Sequence, residues 1–418
     1  MITLGIEGTA HTLGIGIVDG KHNILANVID MYRPLQGGLH PREAANHHAE
    51  VVASDMEEAV GRAGISFRDI DLVSFSMGPG LGPCLRIAGT AARALACALG
   101  VPVIGVNHCI AHIEIGNALT GCADPCLLYA SGGNTQVIAY SDQRYRIFGE
   151  TQDVGIGNMF DKLGRDLGLG FYAGPAIEEL ARSGDVLLDL PYSVKGMDVA
   201  FSGILTAAQA HREKGRRIED ICYSVQETAF AMLTEVTERA MAHIGKDEVL
   251  LGGGVAQNSR LREMVREMAS ERGARMFVPD GEYCRDNGAM IAWLGHIMYS
   301  SGTRMDIDET EVRQRFRTDE VPVTWRGRFR APGWDDAFSV VYDRPTGTDL
   351  FGRTHKDSHA VLNSVLSGST SVLPVSGPYR RSCSVGFRGP AEVVGGCGPQ
   401  SAPRQSCRGN PGTHLCSP

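Results

Sequence analysis

A repeated hairpin pattern constrains the fold of this chain more than any other feature of its sequence. Near the N-terminus, an apolar strand at residues 2–6 leads into Glu-Gly-Thr, a second strand at 12–18 and an Asp-Gly turn. About 125 residues later, an apolar strand at 126–130 leads into Ser-Gly-Gly-Asn-Thr, a second strand at 136–140 and another polar turn. Such turns between apolar alternations are typical of hairpins. Strand and helix patterns alternate around both copies, so the sequence predicts a duplicated α/β fold of two lobes with a cleft between them.

Glycine-rich turns favour a nucleotide in that cleft. The turn of each hairpin combines glycine N–H groups with a threonine hydroxyl, and both are suitable donors to a phosphate. A third glycine run, at residues 252–254, follows the strand at 249–251. Residues 131–135 and 252–254 together suit the two sides of a bound nucleotide. The alternative is that they are ordinary hairpin and helix-capping glycines.

Composition and charge limit the classes of function. The chain has 418 residues, is 43% hydrophobic and carries a formal net charge of −8, which excludes nucleic-acid binding through overall basicity. There is no run of about 18 apolar residues, and no charged segment precedes a long apolar core at the start, so neither a membrane span nor a signal peptide is expected. Eleven cysteines without a CxxC pair are typical of reduced thiols rather than of a disulfide framework. We therefore expect a cytoplasmic enzyme.

Pattern and composition divide the chain into three parts. We expect an N-terminal lobe at residues 1–124 and a C-terminal lobe at 125–325, with the last helix free to pack back on the first lobe. Residues 326–418 are predicted to be a linker and a tail of low order. From Trp334 onward the sequence is rich in Ser, Gly and Pro and holds a single Lys and a single Glu, so it cannot easily bury enough apolar surface to offset the entropy of ordering. Two interpretations stay open, a natural disordered tail and a truncated or frameshifted coding sequence.

Two histidines form a candidate metal half-site. His108 and His112 are four residues apart, so a helix places both imidazoles on one face. Imidazole pairs at this spacing bind zinc or iron. Cys109 stands where the HEXXH motif of metalloproteases has its general base, which disfavours a zinc peptidase. Further ligands have to come from elsewhere in the fold, and the alternative is a helix with two polar-face histidines.

Several carboxylates are further candidates, each with a simpler structural interpretation. Asp286 opens the last long helix pattern, where an aspartate is well suited to be the N-cap. Glu7, Asp161 and Glu178 stand at loops or helix starts, where a capping or solvated side chain is the more common outcome.

Six motifs occur in an order that resembles the TsaD-like family, the threonylcarbamoyl transferases that modify tRNA. The resemblance covers about residues 1–325, and the segment NHCIAHIEIG is similar to the archaeal and eukaryotic branch, the catalytic subunit of the KEOPS complex. The family has the duplicated fold of actin, sugar kinases and the heat-shock ATPases. The motifs are GGLHPREA at 37–44, GPGLGPCLR at 78–86, NHCIAH at 107–112, YASGGNT at 129–135, FSG at 201–203 and GGGVAQN at 252–258.

The resemblance implies roles for individual residues. His108, His112 and Asp286 match the family's metal ligands, Tyr129 matches a tyrosine whose oxygen approaches the same metal, and one divalent ion, Fe or Zn, is implied per subunit. The segment that holds threonylcarbamoyl-AMP corresponds to Tyr129, Ala130, Ser131, Gly132, Gly133, Asn134 and Thr135. Contacts to its adenosine correspond to Asp161, Gly174, Glu178 and Asn258, of which the two carboxylates suit the ribose hydroxyls.

The reaction implied by the resemblance is an acyl transfer. The threonylcarbamoyl group passes from threonylcarbamoyl-AMP to the exocyclic amine of the adenosine beside the anticodon, in tRNAs that read codons beginning with A. Implied partners are tRNA, an atypical kinase subunit, a small dimerising subunit and the separate enzyme that makes the adenylate, and ATP or ADP can occupy the same cleft. In some archaea the family is fused to the kinase. Residues 334–418 show none of the kinase motifs, so we interpret the tail as the remnant of a truncated or frameshifted fusion.

Two other functions stay open at this stage. An ATP-dependent small-molecule kinase of the same fold needs an aspartate in the first hairpin, where Glu7 stands instead. A nucleotide-sensing scaffold would bind nucleotide with no turnover even when every partner is supplied. For the tRNA surface, the sequence offers Arg33, Arg42 and Arg86 in distinctive loops.

Overall fold

The structure is a computed structural model of the whole chain, and it describes residues 1–326 apart from 22, 35 and 36. The predicted linker and tail at 326–418 lie outside the described residues, except for Arg326. Across the described part of the chain, no helix has both the length and the apolar composition that crossing a bilayer requires.

Two five-stranded sheets repeat one topology. In the first, the strand order is β3-β2-β1-β4-β5, with β1 to β3 antiparallel and β1, β4 and β5 parallel. In the second, the order β8-β7-β6-β11-β12 has the same sequence of antiparallel and parallel pairs. This repetition confirms the duplicated α/β fold. The strands are β1 (Thr3–Glu7), β2 (Thr12–Val18), β3 (Ile24–Met31), β4 (Leu72–Gly78), β5 (Val103–Asn107), β6 (Cys126–Ala130), β7 (Thr135–Ser141), β8 (Arg144–Glu150), β11 (Glu248–Gly252) and β12 (Arg275–Phe277), with β9 (Val194–Lys195) and β10 (Asp198–Val199) forming a separate hairpin.

Helices cover both sheets. One of them runs unbroken over residues 218–244. The last long helix begins two residues later than expected, at Gly288, because Asn287 caps it. The helices are α1 (Pro41–Arg62), α2 (Gly82–Leu99), α3 (His108–Thr120), α4 (Ile156–Leu167), α5 (Gly174–Ala181), α6 (Ser202–Glu213), α7 (Ile218–Ile244), α8 (Ser259–Glu271), α9 (Gly281–Cys284) and α10 (Gly288–Ser300).

Close packing of α10 against the first sheet fixes the position of Asp286, which stands two residues before the helix. Every residue of β1 and β2 is buried, so both faces of these strands are covered. A Cβ added to Gly16 would lie 2.1 Å from the backbone nitrogen of Ala289, and one added to Gly288 would lie 2.1 Å from the nitrogen of Gly16. Only glycine permits this backbone approach. The start of α10, and with it Asp286, is therefore held against the first hairpin.

Helix α3 lies where the two sheets meet. Its buried side chains belong to a hydrophobic core that also contains strand residues of the first sheet and Leu127, Tyr129 and Leu250 of the second. A second core fills the space between the second sheet and α4 to α8. The helix that carries both predicted metal-binding histidines is thus buried between the two halves of the repeat. The lobe boundary at residues 124 and 125 stays a prediction.

Candidate metal centre and nucleotide-binding loops

The two histidines stand at the N-terminal end of α3. The side-chain oxygen of Asn107 accepts hydrogen bonds from the backbone N–H groups of Cys109 at 3.0 Å and Ile110 at 3.2 Å, so the helix begins directly at the end of β5. His108 and His112 are both buried, with ring centroids 4.8 Å apart. The four-residue spacing therefore places the two imidazoles side by side, as the sequence predicts.

Asp286 completes a three-residue cluster. Its Oδ1 lies 3.4 Å from Nε2 of His108 and 3.3 Å from Nε2 of His112. The N-cap of α10 is Asn287, which accepts from the backbone N–H of Met290 at 2.9 Å. The capping interpretation of Asp286 is therefore wrong, and its carboxylate is free to face the histidines. The three donor atoms lie within 4.8 Å of one another, close enough to share one ion.

The sequence favoured a capping or solvated role for Glu7, and the structure instead places it against the metal cluster. It is fully buried, and its Oε2 lies 2.9 Å from Nδ1 of His108. Its other oxygen accepts from the backbone N–H of Thr9 at 2.8 Å and from the Thr9 hydroxyl at 2.5 Å. A carboxylate on Nδ1 of a histidine fixes the ring's orientation and directs Nε2 toward a metal. The sequence feature that could have indicated this role is the position of Glu7, at the end of a buried strand and directly before the turn of the first hairpin.

The charges of the cluster call for a cation. Burial alone would lower the pKa of His108, but the carboxylates of Glu7 and Asp286 raise it to about 10. Burial would raise the pKa of Asp286, but His108 and His112 hold it well below its usual range. Burial lowers the pKa of His112. A proton on His108 therefore offsets one of the two carboxylate charges, and a divalent cation bound in its place would balance both.

Tyr129 joins the histidines from the second sheet. It is the second-last residue of β6, separated from the Ser131–Thr135 loop by Ala130, and its hydroxyl oxygen lies 2.8 Å from Nε2 of His108. Its ring centroid is 4.7 Å from that of His112. Burial raises the pKa of Tyr129 well above its usual value, so the phenol is neutral in this setting. The centre thus combines side chains from β1, α3, β6 and the segment before α10.

The Ser131–Thr135 loop is held on the N-terminus of α4. The backbone N–H of Asn134 donates to Oγ of Ser131 at 3.2 Å, and the Thr135 hydroxyl accepts from the N–H of Ile156 at 2.9 Å. A Cβ added to Gly155 would lie 2.4 Å from the carbonyl oxygen of Gly132, so the helix approaches the loop as closely as glycine permits. The protein's own contacts therefore fix the conformation of the loop.

The predicted adenosine contacts lie on α4, α5 and α8. Oδ1 of Asp161 accepts from the backbone N–H of Ala173 at 2.9 Å, next to Gly174 at the start of α5. Oε1 of Glu178 accepts from the backbone N–H of Ser259 at 2.9 Å, which joins α5 to the start of α8.

Asn258 is engaged in capping and core contacts. Its Oδ1 accepts from the N–H groups of Arg260 and Leu261, and its Nδ2 donates to Gln226 at 2.9 Å. Asp161 and Glu178 thus link α4, α5 and α8, and Asn258 links the start of α8 to α7. The roles of these residues toward adenosine stay predictions.

Comparison with known proteins decides the family. The model of the family described as TsaD, tRNA N6-adenosine threonylcarbamoyltransferase, matches residues 23–293. The chain belongs to the TsaD family. A relative from Thermococcus kodakarensis, named tRNA N6-adenosine threonylcarbamoyltransferase, is 58% identical over 326 residues, which are 78% of this chain and 100% of the relative.

Two further TsaD relatives are longer than this chain. Both are named probable bifunctional tRNA threonylcarbamoyladenosine biosynthesis protein. The relative from Thermoplasma acidophilum is 58% identical, over 78% of this chain and 61% of its own length. The relative from Methanobrevibacter smithii is 56% identical, over 91% of this chain and 70% of its own length.

Solved structures support the fold. The chain is similar to the crystal structure of HypF from T. kodakarensis, with a TM-score of 0.54 and 16% identity over 72% of this chain and 48% of that one. A full-length HypF structure matches with a TM-score of 0.50 and 15% identity, over 71% of this chain and 55% of the HypF chain. At this identity the likeness establishes a shared fold only.

In this TsaD chain, the residues predicted as metal ligands lie together. His108, His112 and Asp286 form one cluster, the Tyr129 hydroxyl contacts His108, and only Ala130 separates Tyr129 from the Ser131–Thr135 loop. The donor set of two imidazoles, one carboxylate and a phenol suits a divalent transition metal. Which metal binds, and whether Tyr129 is a ligand, stay predictions.

Proposed function

We propose that this chain transfers the threonylcarbamoyl group from threonylcarbamoyl-AMP to the exocyclic amine of an adenosine beside the tRNA anticodon. The observation that carries this proposal is the continuity of the metal cluster with the glycine loop through Tyr129, in a chain of the TsaD family. An activated acyl group bound to the loop through its phosphate is thereby brought beside the cluster.

Binding of the adenylate is assigned to the loops. The backbone N–H groups of Gly132 and Gly133 and the Asn134 amide are suitable donors to the phosphate and the acyl oxygens. Asp161 and Glu178 accept hydroxyl hydrogen bonds from the ribose, with Gly174 allowing close approach and Asn258 next to the base. The built conformation of the loop supports this role, because donors that are already positioned lose little entropy when the ligand binds.

His108, His112 and Asp286 hold one divalent ion, with Tyr129 beside it, and either Fe²⁺ or Zn²⁺ satisfies this donor set. The chemistry that the ion supplies when bound is Lewis-acid polarisation and orientation of a substrate oxygen. Glu7 keeps the Nδ1 proton of His108 in place, so that Nε2 remains the donor.

The proposed step is a single acyl substitution. The exocyclic nitrogen of adenosine attacks the carbamoyl carbonyl carbon, a C–N bond forms, and the C–O bond to the phosphate breaks. AMP leaves with the electron pair of that bond, and the nitrogen releases one proton to solvent. Loop N–H groups stabilise the charge that develops on the leaving phosphate.

The contacts of Glu7 favour acyl transfer over a kinase reaction. Both of its oxygens are engaged, one with His108 and one with Thr9. A carboxylate held in this way supports the metal cluster and is not directed at a Mg²⁺–ATP complex in the cleft.

The proposed partners are those that supply and receive the group. They are tRNA, the enzyme that makes the adenylate, and the KEOPS subunits, which include an atypical kinase and a small dimerising protein. Relatives named as bifunctional in threonylcarbamoyladenosine biosynthesis support a link to a second activity in the same pathway.

Incorporation of labelled threonine into unmodified tRNA tests the proposal. The mixture contains this chain, the adenylate-forming enzyme, ATP and bicarbonate, with the KEOPS subunits added in one arm and omitted in the other. Label in tRNA that disappears when this chain is left out supports the transferase. Adenylate formation without label in tRNA, with every partner present, contradicts it and favours the nucleotide-sensing scaffold.

A further inference from the structure

The loop between α4 and α5 presents aromatic side chains next to His11 of the first hairpin. It contains three residues in the left-handed region, Gly168, Gly170 and Tyr172, with φ values of 78°, 84° and 59°. A tyrosine rarely adopts this conformation, and such strain tends to persist at functional sites. The Tyr172 side chain is 37% exposed, although it follows the half-buried Phe171.

These aromatic residues reach the first hairpin. The ring of His11 lies 5.9 Å from that of Phe171 in an edge-on arrangement and 6.4 Å from that of Tyr172. A Cβ added to Gly254 would lie 3.5 Å from the Tyr172 hydroxyl. Three separate parts of the fold therefore meet at the exposed phenol ring of Tyr172. We call the three side chains of His11, Phe171 and Tyr172 the aromatic platform.

Arginine side chains from three segments lie near the loop that carries the aromatic platform. Arg33 and Arg165 are exposed, and a Cβ added to Gly38 would lie 3.6 Å from the guanidinium carbon of Arg165, which brings α4 next to the segment that leads into α1. Burial raises the pKa of Tyr172. Arg285 and Arg33 lower it and the carboxylates of Asp286 and Asp161 raise it, so both arginines lie within electrostatic reach of the ring, as do the two carboxylates. This rim of arginines stands on a chain whose formal net charge is −8.

Two buried polar atoms near Tyr172 have no hydrogen-bond partner among the described residues. They are Nε2 of His11 and Nε of Arg285. Buried polar atoms in native structures are nearly always hydrogen-bonded, so each of these indicates a ligand or water that completes it. The first belongs to the aromatic platform itself, and the second to an arginine within electrostatic reach of Tyr172.

We propose that this surface binds a single-stranded RNA loop, with an unpaired base stacked on Tyr172 and backbone phosphates on Arg33, Arg165 and Arg285. The proposal rests on the proposed function, because it assigns the acceptor side of the same cleft. Exposed aromatic rings with basic neighbours are the usual means of holding unstacked bases. The adenylate carries one phosphate, and three guanidinium groups from separate segments exceed what that ligand needs. A ligand with several phosphates, such as an RNA backbone, can pair with all three guanidinium groups.

Equilibrium binding of a synthetic anticodon stem-loop RNA to the full chain tests the proposal. Fluorescence anisotropy over a series of salt concentrations gives both the Kd and its salt dependence. Tyr172→Ala is expected to raise the Kd about 5- to 100-fold, and Tyr172→Phe is expected to keep wild-type binding because stacking needs only the ring. Arg165→Gln is expected to raise the Kd and to lower the slope of log K against log salt by about 0.7.

Matched controls separate this surface from general effects. Tyr192 is another exposed tyrosine, and Arg68 is another exposed arginine, each remote in sequence from the platform. Tyr192→Ala and Arg68→Gln are expected to bind the RNA as the wild type does. Thermal unfolding of each variant shows that it is folded.

The outcomes separate this proposal from the proposed function. Wild-type RNA affinity in both Tyr172→Ala and Arg165→Gln overturns the proposal, and so does the absence of RNA binding by the wild-type chain. A Tyr172→Ala variant that loses AMP binding but keeps RNA binding assigns the platform to the adenylate and also overturns it. Binding that follows the expected pattern, in a chain that incorporates no threonine, would leave this surface in place and contradict only the proposed reaction.

Discussion

Replacement of Glu7 tests the support that the first hairpin provides to the metal cluster. Glu7→Gln keeps the length of the side chain and an oxygen that accepts from Nδ1 of His108, but it removes the negative charge. A buried, charge-assisted hydrogen bond contributes about 1.5–3 kcal/mol, and every 1.4 kcal/mol corresponds to about a tenfold change in affinity. The 2.9 Å contact in a fully buried setting therefore predicts that zinc affinity falls about 10- to 100-fold.

Competition with a chromophoric chelator measures this affinity, and circular dichroism confirms the fold. Glu7→Asp keeps the charge but shortens the side chain by one methylene, and we expect it to lose affinity as well, because the carboxylate no longer reaches Nδ1. Glu58→Gln on the exposed face of α1 is the matched control, with no expected change. Wild-type zinc affinity in both Glu7 variants would refute the reasoning.

Three further predictions follow from other contacts. Asp286→Asn should abolish nearly all metal binding while leaving the fold intact, and a wild-type metal content by elemental analysis would contradict the assigned ligand set. Gly155→Ala should lower the free energy of unfolding by about 1–3 kcal/mol and weaken AMP binding, because the added Cβ would meet the backbone of Gly132. Urea unfolding measures the first effect and AMP titration the second. An unchanged AMP affinity would contradict the prediction for the loop. Burial raises the pKa of Asp55 to about 7, so the folded state loses stability as pH rises from about 4 to 7. Asp55→Asn should therefore stabilise the protein by about 2–4 kcal/mol at pH 8 and have little effect near pH 4, and equal gains at both pH values in thermal unfolding would contradict this.

Local signals in the sequence predict most of the fold because they are short-range. The repeated hairpins depend on turn residues and strand alternation within about 20 residues, and the same order of strands is found in both sheets. The i, i+4 spacing of His108 and His112 places both rings on one face of α3 whatever the rest of the fold does.

The positions of Glu7 and Asp286 could not be predicted from the sequence, because they depend on contacts between residues far apart in the chain. Glu7 and His108 are separated by 101 residues, and only the pairing of β1, β4 and β5 brings them together. Asp286 looks like an N-cap because aspartate is a good one, yet the neighbouring Asn287 takes that place. The close approach of α10 to β2 is needed to explain where Asp286 lies, and it depends on Gly16 and Gly288 meeting across the fold.

A single-turnover reaction with purified threonylcarbamoyl-AMP tests the central claim most directly. The metal-loaded chain and its partner subunits are mixed with unmodified tRNA, and AMP release is measured against modified adenosine in the same samples. The account predicts that the two products form in equal amounts and that His112→Ala abolishes both. AMP released without modified adenosine, or modified adenosine formed equally well by His112→Ala, would contradict it.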